Sequence, residues 1–289
     1  MVKYIAEVIF IMEITRELIG SFEDFLINEE KADATVKKYL TDVCNFANRF
    51  KDEEITKMHI LKYKKELLEK LSPTSVNASL SSLNTFFSFC GRCELKAKML
   101  KIQRNVFLQS EKELTKEEYS RLLAAAERKG NERLLLIMQT ICATGIRVSE
   151  LKFITVESVK EERAEINCKG KLRCVMIPRK LCRALLKYAR KEKVMSGSVF
   201  VTRGGKPLDR SNIWADMKKL CESAKVSKDK VFPHNLRHLF ARTYYSLQKD
   251  IVRLADILGH SSVNTTRIYT MENGEIHRRQ IQNLGLLRC

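Results

Sequence analysis

The chain has 289 residues, 44% of them hydrophobic and 30% charged, which is enough for two domains with real cores. Its net charge of +18 implies a polyanionic partner, nucleic acid first, and speaks against a merely soluble basic surface. The charge is lopsided: 17 Lys+Arg face 15 Asp+Glu up to Ser110, while the remaining 36 face 20 from Glu111 onward, so the electrostatic grip belongs to the C-terminal part. The apolar patch Val8–Met12 is flanked by Glu7 and Glu13. It is too short to span a bilayer and lacks a cleavage site, so neither a secretory signal nor a membrane partner is expected. Nine scattered cysteines read as reduced thiols of a cytoplasmic protein. Cys90 and Cys93 have metal-like spacing but no accompanying Cys or His pair, and they read as a helix end. There is no Gly-rich phosphate loop and no acidic metal cluster, so no cofactor, metal or ATP requirement is expected.

Residues 13–105 read as helices only, at 17–28, 34–50, 56–71 and 73–90, each amphipathic and joined by short connections. Lys57, Lys62, Lys64, Lys65 and Lys70 crowd the third of these, either to meet phosphates or as a solvated face balanced by Glu66 and Glu69. Residues 104–114 lack periodicity, and a linker is placed at 106–114. A second domain then runs over 115–289. Thr115 and Glu118 form a capping box for a helix to Arg128, and the apolar run from Asn131 to Ala143 belongs in a core. Gly145 breaks that helix. Arg147 follows, with Glu150 placed either to aim its guanidinium at an anion or to hold it in a surface salt bridge. Residues 163–167 and 172–177 form a hairpin around Lys169 and Lys171. A helix at 179–193, a short strand at 199–201 and a helix capped by Ser211 and running to Cys221 follow. The fold class is therefore mainly α with a small β-sheet.

The stretch from Pro233 to Tyr269 concentrates the chemistry. His234 and Arg237 are three apart and share a helix face. His260 ends an apolar helical pattern beside Gly259 and a serine pair able to cap a new helix, and Tyr269 lies nine residues on, about two and a half turns into that helix. Singly, each is an ordinary core or cap residue. Together, in a strongly basic domain, they point to attack of a tyrosine on a phosphodiester.

These residues resemble the boxes of the tyrosine recombinases, the phage-type integrases, and most of all their Xer-like and mobile-element members. The run 143–151 around Arg147 is similar to the first arginine box, Lys169 to the hairpin lysine with Lys171 as its rival, 234–238 to the His-x-x-Arg box, 258–261 to the second histidine box and Tyr269 to the nucleophile. The resemblance implies a SAM-like core-binding domain at 13–105 and a catalytic domain at 115–289. It implies that Tyr269 forms a 3′-phosphotyrosyl link, helped by His234. Arg147, Arg237 and His260 would bind the phosphate, Lys169 would protonate the leaving 5′-oxygen, and Glu150 and His238 would support. The implied partners are double-stranded DNA and a tetramer on two DNA sites, of one chain or with a paralogue. The tail from Gly274 would be a helix donated to a neighbour or packed on its own domain. A non-catalytic DNA-binding protein and a type IB topoisomerase remain as alternatives. Integration and excision of a mobile element also stands beside chromosome-dimer resolution.

Overall fold

Helix starts follow the capping residues. Thr15 accepts the N–H of Leu18 to open α1 (Arg16–Asn28), and Ser72 accepts that of Ser75 to open α4 (Pro73–Phe89), with Pro73 at the first helical position, where no N–H is needed. Between them lie α2 (Asp33–Arg49) and α3 (Lys57–Lys70). The computed structural model describes residues 13–51, 53–102, 112–168, 171–202, 204–269 and 282–283. The chain divides into two units, Met1–Arg104 and Asn105–Cys289. None of the described helices is long and apolar enough to cross a membrane.

The first unit packs its four helices around aromatic rings. Phe22 meets Phe86 edge-on at 5.1 Å, and Phe46 meets Tyr63 in the same way at 5.1 Å. One buried carboxylate ties two helices together: Asp42 on α2 accepts from Lys38 at 2.5 Å and from Ser82 and Ser79 of α4 at 2.7 and 3.3 Å. Two of the five lysines crowding α3 are turned to the main chain. Lys57 donates to the carbonyls of Glu94 and Lys96, and Lys64 to that of Lys98.

The second unit begins with α5 (Lys116–Arg128), opened by the Thr115–Glu118 capping box, and α6 (Glu132–Thr144), capped by Asn131 and closed by Gly145 in the left-handed region at φ +67°. A 3-10 turn (Val148–Phe153) and α7 (Val156–Lys160) lead to strands β1 (Arg163–Cys168) and β2 (Lys171–Met176). These pair antiparallel, with Ile166 opposite Arg173 and Cys168 opposite Lys171. Then follow α8 (Arg179–Lys191), α9 (Arg210–Lys218), α10 (Cys221–Ala224), α11 (Pro233–Gln248), α12 (Ile251–Leu258), α13 (Val263–Thr266) and a 3-10 turn at Arg267–Tyr269. Leu122, Ile137, Ile141, Ile166, Leu185 and Leu236 are among the main core residues, and a small cluster gathers Ala241, Leu254, Leu258 and Tyr269.

Three local expectations change. Residues 199–201 are not a strand: Thr155 pairs with Ser198 and Val201 with Pro207 as single bridges, and the tight turn from Thr202 to Lys206 leaves no ladder to extend. Asp209, not Ser211, caps α9. Its carboxylate accepts the N–H of Ser211 at 2.7 Å, and a charged acceptor there complements the helix dipole. That helix stops at Lys218, with α10 separate. Of the linker, residues 112–114 lie on the second unit, where Leu114 is buried, its carbonyl accepts from Arg242 and that of Lys112 from Asn235. The rest of the linker, and the tail from Gly274 apart from 282–283, lie outside the described residues.

Candidate active site

Arg147 sits where α6 has just ended. Gly145 must be glycine twice over: its φ is +67°, and a methyl group there would overlap the ring of Phe240. The left-handed turn throws the chain outward, and Glu150 catches it. Its carboxylate accepts the main-chain N–H of Arg147 at 2.7 Å and the Nη1 of the same residue at 2.9 Å. The Glu150 side chain is 1% exposed, that of Arg147 37%, so the acid is interior and the guanidinium looks out. Burial alone would raise the pKa of Glu150, but the N–H of Arg147 and the charges of Arg173 and Arg147 outweigh it and hold the carboxyl below its ordinary value.

Arg237 is the largest fully buried side chain among the described residues. It points from α11 across the ends of two helices. Nη1 donates to the Gly145 carbonyl at 2.7 Å, and Nη2 donates to the Leu258 carbonyl at 2.7 Å and to His260 Nε2 at 3.0 Å. These carbonyls are orphans left by the C-termini of α6 and α12, so one guanidinium satisfies both and welds the turns carrying Arg147 and His260. Burial, with Arg147 nearby, lowers its pKa to about 10, so it stays charged at neutrality.

His260 leaves α12 through Gly259, which is left-handed at φ +66°. Its Nδ1 faces Thr266 Oγ1 at 2.8 Å, and burial and Arg237 push its pKa down to about 4. The ring stacks on Tyr269 at 6.2 Å and 15°. Tyr269 is 5% exposed. Burial raises its pKa, and the charge of Arg237 pulls the other way. Tyr269 also meets His238 edge-on at 5.1 Å, and His238 meets His234 at 4.5 Å. His234 is exposed on the first turn of α11, its pKa lowered by partial burial and by Arg237 and Arg147. His238 is lowered to about 4 by burial and by His234.

Arg147, Glu150, His234, Arg237, His260 and Tyr269 thus converge. Lys169 lies outside the described residues, and of Lys171 the strand pairing alone is described. Tyr269 stands on a 3-10 turn, because α13 is a single turn long, rather than deep in a longer helix. Two members were missed in the sequence. Thr266 orients His260. Arg173 of β2 donates Nη2 to Glu150 Oε2 at 2.7 Å and Nη1 to Oε1 at 3.3 Å. A signal for Arg173 existed, since it shares the alternation of Val175 and Ile177 on the buried face of the strand. Thr266 offered none, its partner being six residues away across a turn.

Two guanidiniums on one interior carboxylate, a third buried close by, imidazoles and a phenol are the chemistry that can receive an anionic ester beside a nucleophile. The profile of the phage integrase family matches residues 112–275, and that of the phage integrase N-terminal SAM-like domain matches residues 19–92. The chain is 28% identical over 284 residues to tyrosine recombinase XerA of Pyrococcus furiosus, covering 94% of this chain and 95% of that one. It is 39% identical over 171 residues to tyrosine recombinase XerH of Campylobacter jejuni, covering 54% of this chain and 47% of that one. It shares its fold with a lambda integrase tetramer bound to a Holliday junction, at a TM-score of 0.71 and 18% identity, over 88% of this chain and 76% of that one.

Proposed function

The chain belongs to the phage integrase family, the tyrosine site-specific recombinases, and from that premise we propose how its own residues cut and rejoin DNA. Tyr269 Oη attacks a scissile phosphate. The bond to the 5′-oxygen breaks, and the 3′-phosphate stays on the tyrosine. The phenol proton passes toward His234, the exposed imidazole of the His234–His238–Tyr269 row. The departing 5′-oxygen takes a proton from the hairpin lysine, Lys169 or Lys171. Arg147 and Arg237 stabilise the phosphorane charge, and His260 adds a hydrogen bond to the phosphate once its proton has moved from Nδ1 to Nε2 and Arg237 has released that nitrogen. Because the guanidiniums supply fixed positive charge and the phosphotyrosyl bond conserves the ester's energy, the reaction needs neither metal nor ATP. A 5′-hydroxyl from another strand reverses the attack, and the protein works as a tetramer on two duplex sites.

The observation that carries this reading is the stacking of Tyr269 on His260 while Arg237 bonds the Nε2 of the same ring. It supports the reading of Tyr269 as a nucleophile that works beside a phosphate-binding pair. The test is covalent trapping on nicked duplexes that tile the DNA around the protein's own gene, in EDTA and without nucleotide. An SDS-resistant adduct mapped to Tyr269 and lost in Tyr269→Phe is expected. Tight binding without any adduct would mean a protein that only positions DNA. Binding to duplex should weaken steeply with salt, since phosphate contacts dominate it.

A further inference from the structure

β2 carries a charge where its alternation calls for an apolar residue. Arg173, Val175 and Ile177 face the core, while Leu172, Cys174 and Met176 are exposed. The Arg173 side chain is 13% exposed and is anchored at two places. Its guanidinium forks onto Glu150. Its stem and fork also lie against the α-carbon of Gly259, where a methyl group would come within 2.7 Å of Cδ and 3.1 Å of Cζ. The strand is thereby pinned to the corner that carries His260, and to the acid that carries Arg147.

The charge balance gives this arrangement its meaning. Glu150 holds one unit of negative charge and accepts from two guanidiniums. With Arg147 as its sole partner it would form a closed interior pair, and a phosphate would have to compete with it for Arg147. Arg173 takes up that charge, and Arg147 keeps Nε and Nη2 without a partner among the described residues.

We propose that Arg173 is a positioning residue for strand cleavage: it neutralises Glu150 so that Arg147 stays available to the scissile phosphate, and it locks the β1–β2 hairpin to the Gly259–His260 corner. This rests on Arg147 being a phosphate ligand, as proposed above.

The rate of Tyr269 adduct formation on the duplex found by tiling tests it. Arg173→Gln should slow the adduct about 100-fold, the loss expected when reacting groups are misplaced by an ångström or so, with duplex binding retained. Adding Glu150→Gln should restore at least about tenfold of that loss, because a neutral amide no longer competes for Arg147. The same addition in Arg173→Lys, which keeps the charge and loses the fork, should restore nothing. A merely structural Arg173 predicts no such rescue. Arg173→Gln cleaving at the wild-type rate, or gaining nothing from Glu150→Gln, overturns the inference. Should Arg173→Gln fail to melt cooperatively, Arg173→Lys decides alone: within about tenfold of wild type supports the proposal, and a loss as complete as in Tyr269→Phe overturns it. If the wild-type protein forms no adduct on any duplex, the reading of the site itself fails. A wild-type adduct with an unaffected Arg173→Gln sinks only the inference.

Discussion

Arg237 and His260 meet at 3.0 Å, guanidinium Nη2 against imidazole Nε2. A guanidinium only donates, so Nε2 accepts, the ring is neutral and its proton sits on Nδ1, facing Thr266. Arg237 thus assigns the tautomer of His260, and Thr266, on a different element, is placed to accept its Nδ1 proton.

Replacing Thr266 with Val removes the acceptor of the Nδ1 proton inside the protein. The variant should lose about 1 kcal/mol of stability, the usual net worth of such a bond, and its His260 should populate both tautomers. Nitrogen NMR shifts of the imidazole read the tautomer directly. Thr266→Ser should keep the wild-type pattern, and a Val variant with unchanged shifts would mean that Arg237 alone orders the ring.

Acid should destabilise the second unit through its histidines. His238 and His260 are held to about 4, by burial first and then by His234 and Arg237 respectively, against an ordinary value of 6.5. Between those values the unfolded chain binds protons that the folded chain refuses. The stability is therefore full above pH 6.5 and is lost as pH falls toward 4. Urea midpoints should drop across that window, and His238→Phe should make the drop shallower. An equally steep drop in that variant would assign the effect to other groups.

Gly145→Ala should destabilise by roughly 1–2 kcal/mol for the left-handed backbone alone, plus the overlap with Phe240. Denaturant unfolding measures the sum. The double variant with Phe240→Ala should show a smaller penalty for the alanine at 145 than the wild-type background does, because the overlap part disappears while the backbone part stays.

In the first unit, Asp42→Ala should lower stability by about 2 kcal/mol, because Ser79 and Ser82 lose their interior acceptor. For a unit of this size that is a drop of roughly 8–16 °C in melting temperature. Calorimetry of the full chain should show the loss in one transition. A variant melting with the wild type would show that the serines find other partners.

Most helices were legible because their determinants are local. Thr115 with Glu118, Asn131, Pro73 and the apolar spacing of α1, α2 and α4 act within one or two turns of themselves. The hairpin was legible from the runs 163–167 and 172–177 flanking Cys168–Lys171, with Pro178 as the stop. So was the order of Arg147, His234, Arg237, His260 and Tyr269 along the chain, which carries the family resemblance.

What tertiary structure alone decided is which polar groups share a partner. Arg237 bonds carbonyls 92 and 21 residues away in sequence, and Arg173 reaches a carboxylate 23 residues before it. Such pairings depend on where two helices end in space, and no local propensity encodes that. The same holds for Tyr269, whose helix stops after one turn, leaving the ring to be placed by His238 and His260 from α11 and the end of α12. Sequence determined the kinds of side chains available and the elements bearing them. Burial decided their charge states, and the closing of α6 and α12 onto one buried guanidinium made a single site of them.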